Sequence, residues 1–353
     1  MVDLACGLKE RGHTVEFFVY FPQYDFYASR LETAGIGVHR YRKGRGFSFA
    51  VVWKLIALTR GRDFDVVLAF LNAPTIYAEL ALLIARKAIL VVSERCSHHD
   101  DRSAIAGNFR RALHCVADSV VSNSRSHAAW LRTKWWLSDK VAVVYNGFDV
   151  NSFGNAMPMP ARPQEIRLLA VGRVCPQKNL INLIAGLHLF HDRNGYAPNI
   201  SWVGKRDVDA DGRKYGNSVL ELLDRYPAIK AGWRWLGEQR DMRSIFRAHH
   251  AFVHPSRYEG LPNAVCEALA CGMPVLVSDV CDHSLLVEDG RRGFLFDPEI
   301  PESIAAALQK LVDLNPADWA EFSAEAQSFA AAHLGLGQMV SAYETLFSDL
   351  VNR

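Results

Sequence analysis

Residues 251–279 read AFVHPSRYEGLPNAVCEALACGMPVLVSD. A short apolar run, Ala251–His254, has the length of a buried strand, and a loop with Pro255 and Gly260 ends it. An apolar helical pattern follows, with Pro262 expected at its first position, where a missing N–H costs nothing. Gly272 stops the helix, and Pro274–Ser278 is the next strand. This strand–helix–strand unit predicts a parallel α/β sheet.

The same alternation extends in both directions. Downstream lies Gly293–Phe296; upstream lie Arg167–Val171, Ile200–Val203 and Trp233–Leu236. Further upstream, Thr14–Tyr20, Val66–Phe70, Ile89–Ser93, Ser119–Ser122 and Val141–Tyr145 form a first series, with helical patterns between them. The stretch Asn155–Gln164, NAMPMPARPQ, has three prolines and no periodic apolar pattern, so it reads as a linker. The expected architecture is two Rossmann-like, doubly wound domains facing a cleft, residues 1–157 and 158–336, with a last helix at about 337–353 returning to the first. Met339, Val340, Tyr343, Leu346 and Phe347 give that helix one apolar face.

The chain opens in an amphipathic helix, Val2–Arg11, where such a domain normally opens with a strand and a glycine turn. The first strand is therefore expected to be missing, as in a truncated chain.

With 353 residues, 50% hydrophobic and 22% charged, the chain is ordinary globular material for two domains at roughly 100–200 residues each. Arg86 and Lys87 interrupt Leu80–Val92, so no apolar run approaches a membrane span of about 20 residues. No signal peptide is visible, and the seven cysteines are scattered without a CxxC pair, which suits a reducing, cytoplasmic setting. Residues 1–157 carry 20 Lys and Arg against 14 Asp and Glu. Arg40, Arg42, Lys43 and Arg45 precede Phe47 and Phe49, and Arg132 and Lys134 precede Trp135 and Trp136. Such mixtures suit an anionic membrane face or, as readily, a solvated loop and a buried tryptophan.

Glu259-Gly260-Leu261-Pro262-Asn263 directs free backbone N–H groups, with a helix dipole behind them, at whatever binds there, which makes an anion site. Glu267, about one and a half turns into the helix, is placed to accept from the two hydroxyls of a ribose. Glu259 would then meet the group beyond the diphosphate. An isolated pair of glutamates is more simply a helix cap and a solvated face, so company decides. Across the expected cleft, Arg167–Leu187 reads RLLAVGRVCPQKNLINLIAGL, with Arg173 and Lys178 beyond a strand's carboxyl end. A guanidinium fork and an ammonium there suit a diphosphate.

Together these motifs resemble family 4 of the retaining glycosyltransferases, which have the two-domain GT-B fold. The two glutamates with seven residues between, Gly172-Arg173 with Lys178, the stretch Ala117–Ser124 and Val144–Asp149 all match it, so the resemblance covers nearly the whole chain. It implies that Arg173 and Lys178 bind the donor diphosphate, that Glu267 binds the ribose and that Glu259 contacts the transferred sugar. It also implies metal-independent transfer with retention, from a UDP- or GDP-sugar to a saccharide or lipid-linked acceptor at the cytoplasmic membrane face. No cofactor, metal or nucleic acid is expected. Ser93-Glu94-Arg95 ends a strand and resembles a tripeptide of polysaccharide-building members. His98 and His99 are acceptor-side candidates, or else exposed loop residues.

Three other readings compete. A nicotinamide oxidoreductase lacks its GxGxxG turn here. A GT-B sugar-nucleotide epimerase shares fold and donor, and an inactive truncated remnant would keep the donor half alone.

Overall fold

A computed structural model describes residues 1–24, 26–95, 104–154, 162–206 and 210–353. Two compact units result, Met1–Gly147 with Leu336–Arg353, and Phe148–Gly335. Most of the proline-rich linker, 155–161, lies outside the described residues, as do His98 and His99.

The first unit contains β1 (Glu16–Val19), β2 (Gly37–Arg40), β3 (Val66–Phe70), β4 (Ile89–Glu94), β5 (Ser119–Ser122) and β6 (Val141–Val143). Parallel β3-β4-β5-β6 make one sheet and β1-β2 a second. Successive residues of a strand face opposite ways. Val91 and Val121 therefore pack with Leu4, Leu8, Met339, Val340 and Tyr343, while Leu90, Val92 and Val120 pack with Leu82, Leu131 and Leu137. Both faces are covered, which explains why these strands are continuously apolar. The helix Leu336–Val351 belongs to this packing through Met339, Val340 and Tyr343. Strand β2 is absent from the sequence reading because Gly-Val-His-Arg has no apolar run, and its ends are exposed.

The second unit contains β7 (Arg167–Val171), β8 (Asn199–Val203), β9 (Trp233–Gly237), β10 (Ala251–His254), β11 (Val275–Ser278) and β12 (Gly293–Phe296). Their order is β12-β11-β10-β7-β8-β9, all parallel. The chain winds outward from β7 to β9, returns to β10 beside β7, and winds the other way to β12. This is the doubly wound, Rossmann-like topology expected, and its reversal point lies between β7 and β10. Leu168, Phe190, Trp202, Leu276 and Trp319 are among the core residues, each such side chain contributing roughly 1.5–3 kcal/mol on burial. Among the described residues, no helix is long and apolar enough to cross a membrane.

Candidate active site

The segments 167–187 and 251–279, both assigned to the second domain but read as facing each other across a cleft, lie on adjacent strands of one sheet. β7 and β10 are hydrogen-bonded neighbours, so the loops leaving their carboxyl ends meet. Gln177 Nε2 donates to the Tyr258 carbonyl (2.9 Å), the Arg257 amide to the Gln177 carbonyl (2.9 Å), and Arg257 Nη1 to the Pro176 carbonyl (2.8 Å). Sequence periodicity carries no information on which strand returns to pair with which. Their adjacency is therefore a matter of sheet topology.

Within this stitched pair, Lys178 Nζ lies 2.5 Å from Glu259 Oε1. The lysine stem runs over Gly172. A Cβ there would come within 2.9–3.2 Å of three of its methylenes, so glycine leaves the room that the stem occupies. Gly204 lies close by, with φ of 141° and its added Cβ position only 2.1 Å from the Gly172 carbonyl oxygen. No side chain fits there.

Glu259 is mostly buried. Against the cost of that burial, a hydrogen bond from His254 and the charge of Lys178 hold its carboxyl far below the usual carboxylate range. Both contacts use Oε1: His254 Nε2 lies 3.1 Å from it. Sequence reasoning missed His254, reading it only as the last residue of a strand.

Arg173 is exposed and makes no hydrogen bond or ion pair among the described residues. The amides of Gly260 and Leu261 likewise have no partner among them. The helix runs Asn263–Ala270, with Pro262 as its N-cap rather than its first helical residue. The Pro262 carbonyl accepts from the Val265 and Cys266 amides at 3.0 and 3.2 Å. Glu267 lies on this helix with no hydrogen-bond partner for its carboxyl among the described residues, and burial pushes that carboxyl up to about 7. A desolvated carboxylate lacking donors is suited to receive them from a ligand.

In the first unit the strand-end candidates are spent internally. Glu94 is buried at the end of β4; Oε1 pairs with Arg110 and His114, and Oε2 with Arg111 and His127. Against burial, hydrogen bonds from His114 and His127 and the charges of Arg110 and Arg111 hold it well below the ordinary range. Arg95 donates to Ser93 Oγ (2.6 Å), Asn146 and Tyr343 Oη (2.5 Å). A carboxylate with both oxygens taken has none left for an acceptor, and its partners come from residues 110–127, which a local motif does not include.

The profile of Glycosyltransferase Family 4 matches residues 1–152, and that of Glycosyl transferases group 1 matches 165–313. The chain belongs to the family 4 glycosyltransferases. This family member is 28% identical over 182 residues to an Escherichia coli UDP-Gal:alpha-D-GlcNAc-diphosphoundecaprenol alpha-1,3-galactosyltransferase, covering 49% of this chain and 46% of that one. It is 23% identical to the Staphylococcus aureus capsular polysaccharide biosynthesis glycosyltransferase CapH over 80% of this chain and 78% of CapH. The chain spans about half the length of most curated relatives it matches. Among solved structures it resembles a Rickettsia africae glycosyltransferase (TM-score 0.83, 15% identity, covering 100% of this chain and 94% of that one). It also resembles Anabaena Alr3699/HepE in complex with UDP-glucose (TM-score 0.80, 19% identity, covering 98% and 94%). These are GT-B glycosyltransferases, and the family 4 member shares their two-domain α/β architecture.

Beyond the residues already named, a pocket in this family member opens at the carboxyl ends of β8 and β9, lined by Lys205, Arg206, Trp235 and Glu238 among others. The Arg206 guanidinium lies 5.3 Å from the Trp235 ring centre.

Proposed function

We propose that this chain transfers a sugar from a UDP- or GDP-sugar to a saccharide or lipid-linked acceptor, with retention and without a metal. The observation that carries the reading is the β7/β10 reversal point. There an arginine and two amides without partners among the described residues, a Lys178–Glu259 pair and a half-buried glutamate with no donor to its carboxyl among them lie beyond strand ends where α/β sheets bind ligands. In the reaction, the bond between the anomeric carbon and the diphosphate oxygen breaks. A bond to the acceptor hydroxyl oxygen forms on the same face, and the acceptor proton passes to the leaving phosphate. Arg173, Lys178 and the amides of Gly260 and Leu261 stabilise the charge that develops on the diphosphate. Glu267 takes the ribose hydroxyls, Glu259 the transferred sugar, and the pocket at β8 and β9 gives room for the base.

The relative acting on a diphosphoundecaprenol-linked sugar supports a lipid-linked acceptor here. Thermal unfolding with UDP-glucose, UDP-galactose, UDP-N-acetylglucosamine and GDP-mannose tests the donor assignment. At least one is expected to raise the midpoint by several degrees at a hundred-fold excess over its Kd, equivalent to about 2.7 kcal/mol. Free nucleotide is then expected only when an acceptor is added. Release of nucleotide without acceptor, alongside an epimerised sugar, would instead favour the epimerase reading, and no shift with any donor would overturn the proposal.

The same proposal places the enzyme at the inner face of the cell membrane. In the first unit, ring contacts run from Tyr24 through Phe21, Tyr20, Tyr77 and Phe47 to Phe49. Lys43 lies over three of these rings. Tyr24 is 82% exposed, Phe49 72% and nearby Trp53 61%, with Arg42 and Arg45 also exposed. Rings that sit at a headgroup boundary beside cations suit an anionic surface. Flotation with phosphatidylglycerol vesicles is expected to carry the protein at low salt and release it at high salt; protein left at the bottom of the gradient in both would contradict the membrane assignment.

A further inference from the structure

Glu259 is held on one side only. Lys178 and His254 both bind Oε1, while Oε2 has no partner among the described residues and is not sealed from solvent. A carboxylate anchored through one oxygen keeps the other aimed in a fixed direction, which is what recognition of a sugar hydroxyl requires.

His254 closes this arrangement from beneath. It is 2% exposed at the end of β10, and its ring is packed by Phe252, stacked at 6.0 Å between centres, and by His283, edge-on at 5.5 Å. Its Nε2 lies 3.1 Å from both Glu259 Oε1 and Ser256 Oγ. An ionised carboxylate only accepts, so Nε2 carries the proton and donates to it. Burial, and then the charge of Lys178, hold the imidazole below its ordinary range and hence neutral. The pair is therefore a neutral donor on a buried carboxylate, and Lys178 supplies the charge.

Resting on the proposed donor reaction, we infer that His254 is a positioning residue for sugar recognition: its Nε2–H fixes Glu259 with Oε2 presented to the donor's sugar. Lys178 has a flexible stem and also faces the diphosphate, so it cannot fix the carboxylate alone. The packed imidazole is the rigid member of the pair.

His254→Gln and His254→Asn separate this role from a merely structural one. Both put a neutral amide in the ring's place, but only the longer glutamine carries its N–H to the Nε2 position within reach of Oε1. Calorimetry with UDP and UDP-glucose, and with GDP and GDP-mannose, gives for each protein the ratio of nucleotide to nucleotide-sugar Kd. His254→Asn is expected to shift that ratio at least fivefold against sugar binding, and His254→Gln to stay within twofold of the unaltered protein. Affinity for the bare nucleotide is expected to be unchanged in both. Equal ratios in the two variants overturn the inference while leaving the donor assignment intact. Loss of bare-nucleotide affinity in both would mark His254 as structural and overturn it too. If the unaltered protein binds none of the four ligands, the functional reading falls and this inference with it. Should His254→Asn fail to fold, Glu259→Gln with His254 intact decides, because it is then expected to reproduce the fivefold shift; an unchanged ratio overturns the inference.

Discussion

Replacing Arg173 by alanine is expected to lower turnover about 10²–10³-fold, on the order of 2.7–4 kcal/mol of transition-state stabilisation, while the thermal unfolding midpoint stays within a degree of the unaltered protein. The reason for expecting this separation is that the exposed guanidinium has no partner to lose among the described residues. Its removal leaves no buried group uncompensated. Lys178 differs, because its loss would also leave the buried Glu259 carboxylate with one anchor fewer. Steady-state kinetics with the best donor of the panel, beside a melting curve, check the point. Turnover within threefold of normal would remove Arg173 from the diphosphate site.

The second large effect concerns Glu267, whose carboxyl is pushed by burial up to about 7. Below the ordinary glutamate range, folded and unfolded chains both carry the proton. As pH rises from there toward 7 the unfolded chain loses it first, so the folded state binds more protons and stability falls with pH. The full penalty is reached above about 7 and is on the order of 3 kcal/mol. Glu267→Gln removes it. The variant is therefore expected to unfold several degrees higher than the unaltered protein at pH 8 and at nearly the same temperature at pH 5. At the same time it is expected to lose most donor-dependent stabilisation, since an amide oxygen cannot replace two carboxylate oxygens on a ribose. Melting curves from pH 5 to 8, with and without donor, measure both. A pH-independent difference would contradict the burial argument, and full donor stabilisation in the variant would contradict the ribose assignment.

A glutamate that costs stability at neutral pH and gains nothing from its own protein is the pattern expected of a binding group. Glu94 is the contrary case. It too is a desolvated carboxylate, at the end of β4 rather than on a helix, yet its ordinary charge is secured by two arginines and two histidines. In sequence the two look alike, because a motif names a residue type and a spacing but not the charges that other segments bring up. Helical spacing did place Glu267 on a helix and Glu259 in the loop before it, and the structure has both there.

What the sequence determines by itself is local and periodic. Buried parallel strands leave continuous apolar runs, and Val66–Phe70, Ser119–Ser122, Arg167–Val171, Ala251–His254 and Gly293–Phe296 were all legible as such. From them follow the α/β class and the two Rossmann-like halves, because parallel strands joined by helices admit few other architectures. What only the tertiary structure decides is adjacency. β10 pairs with β7 although β8 and β9 come between them in the chain. That pairing brings Lys178 to Glu259 and sets His254 under the same oxygen. Hydrogen bonds between strands distant in sequence have no periodic signature, so the segment 251–279 could name its carboxylates but not the groups that hold them.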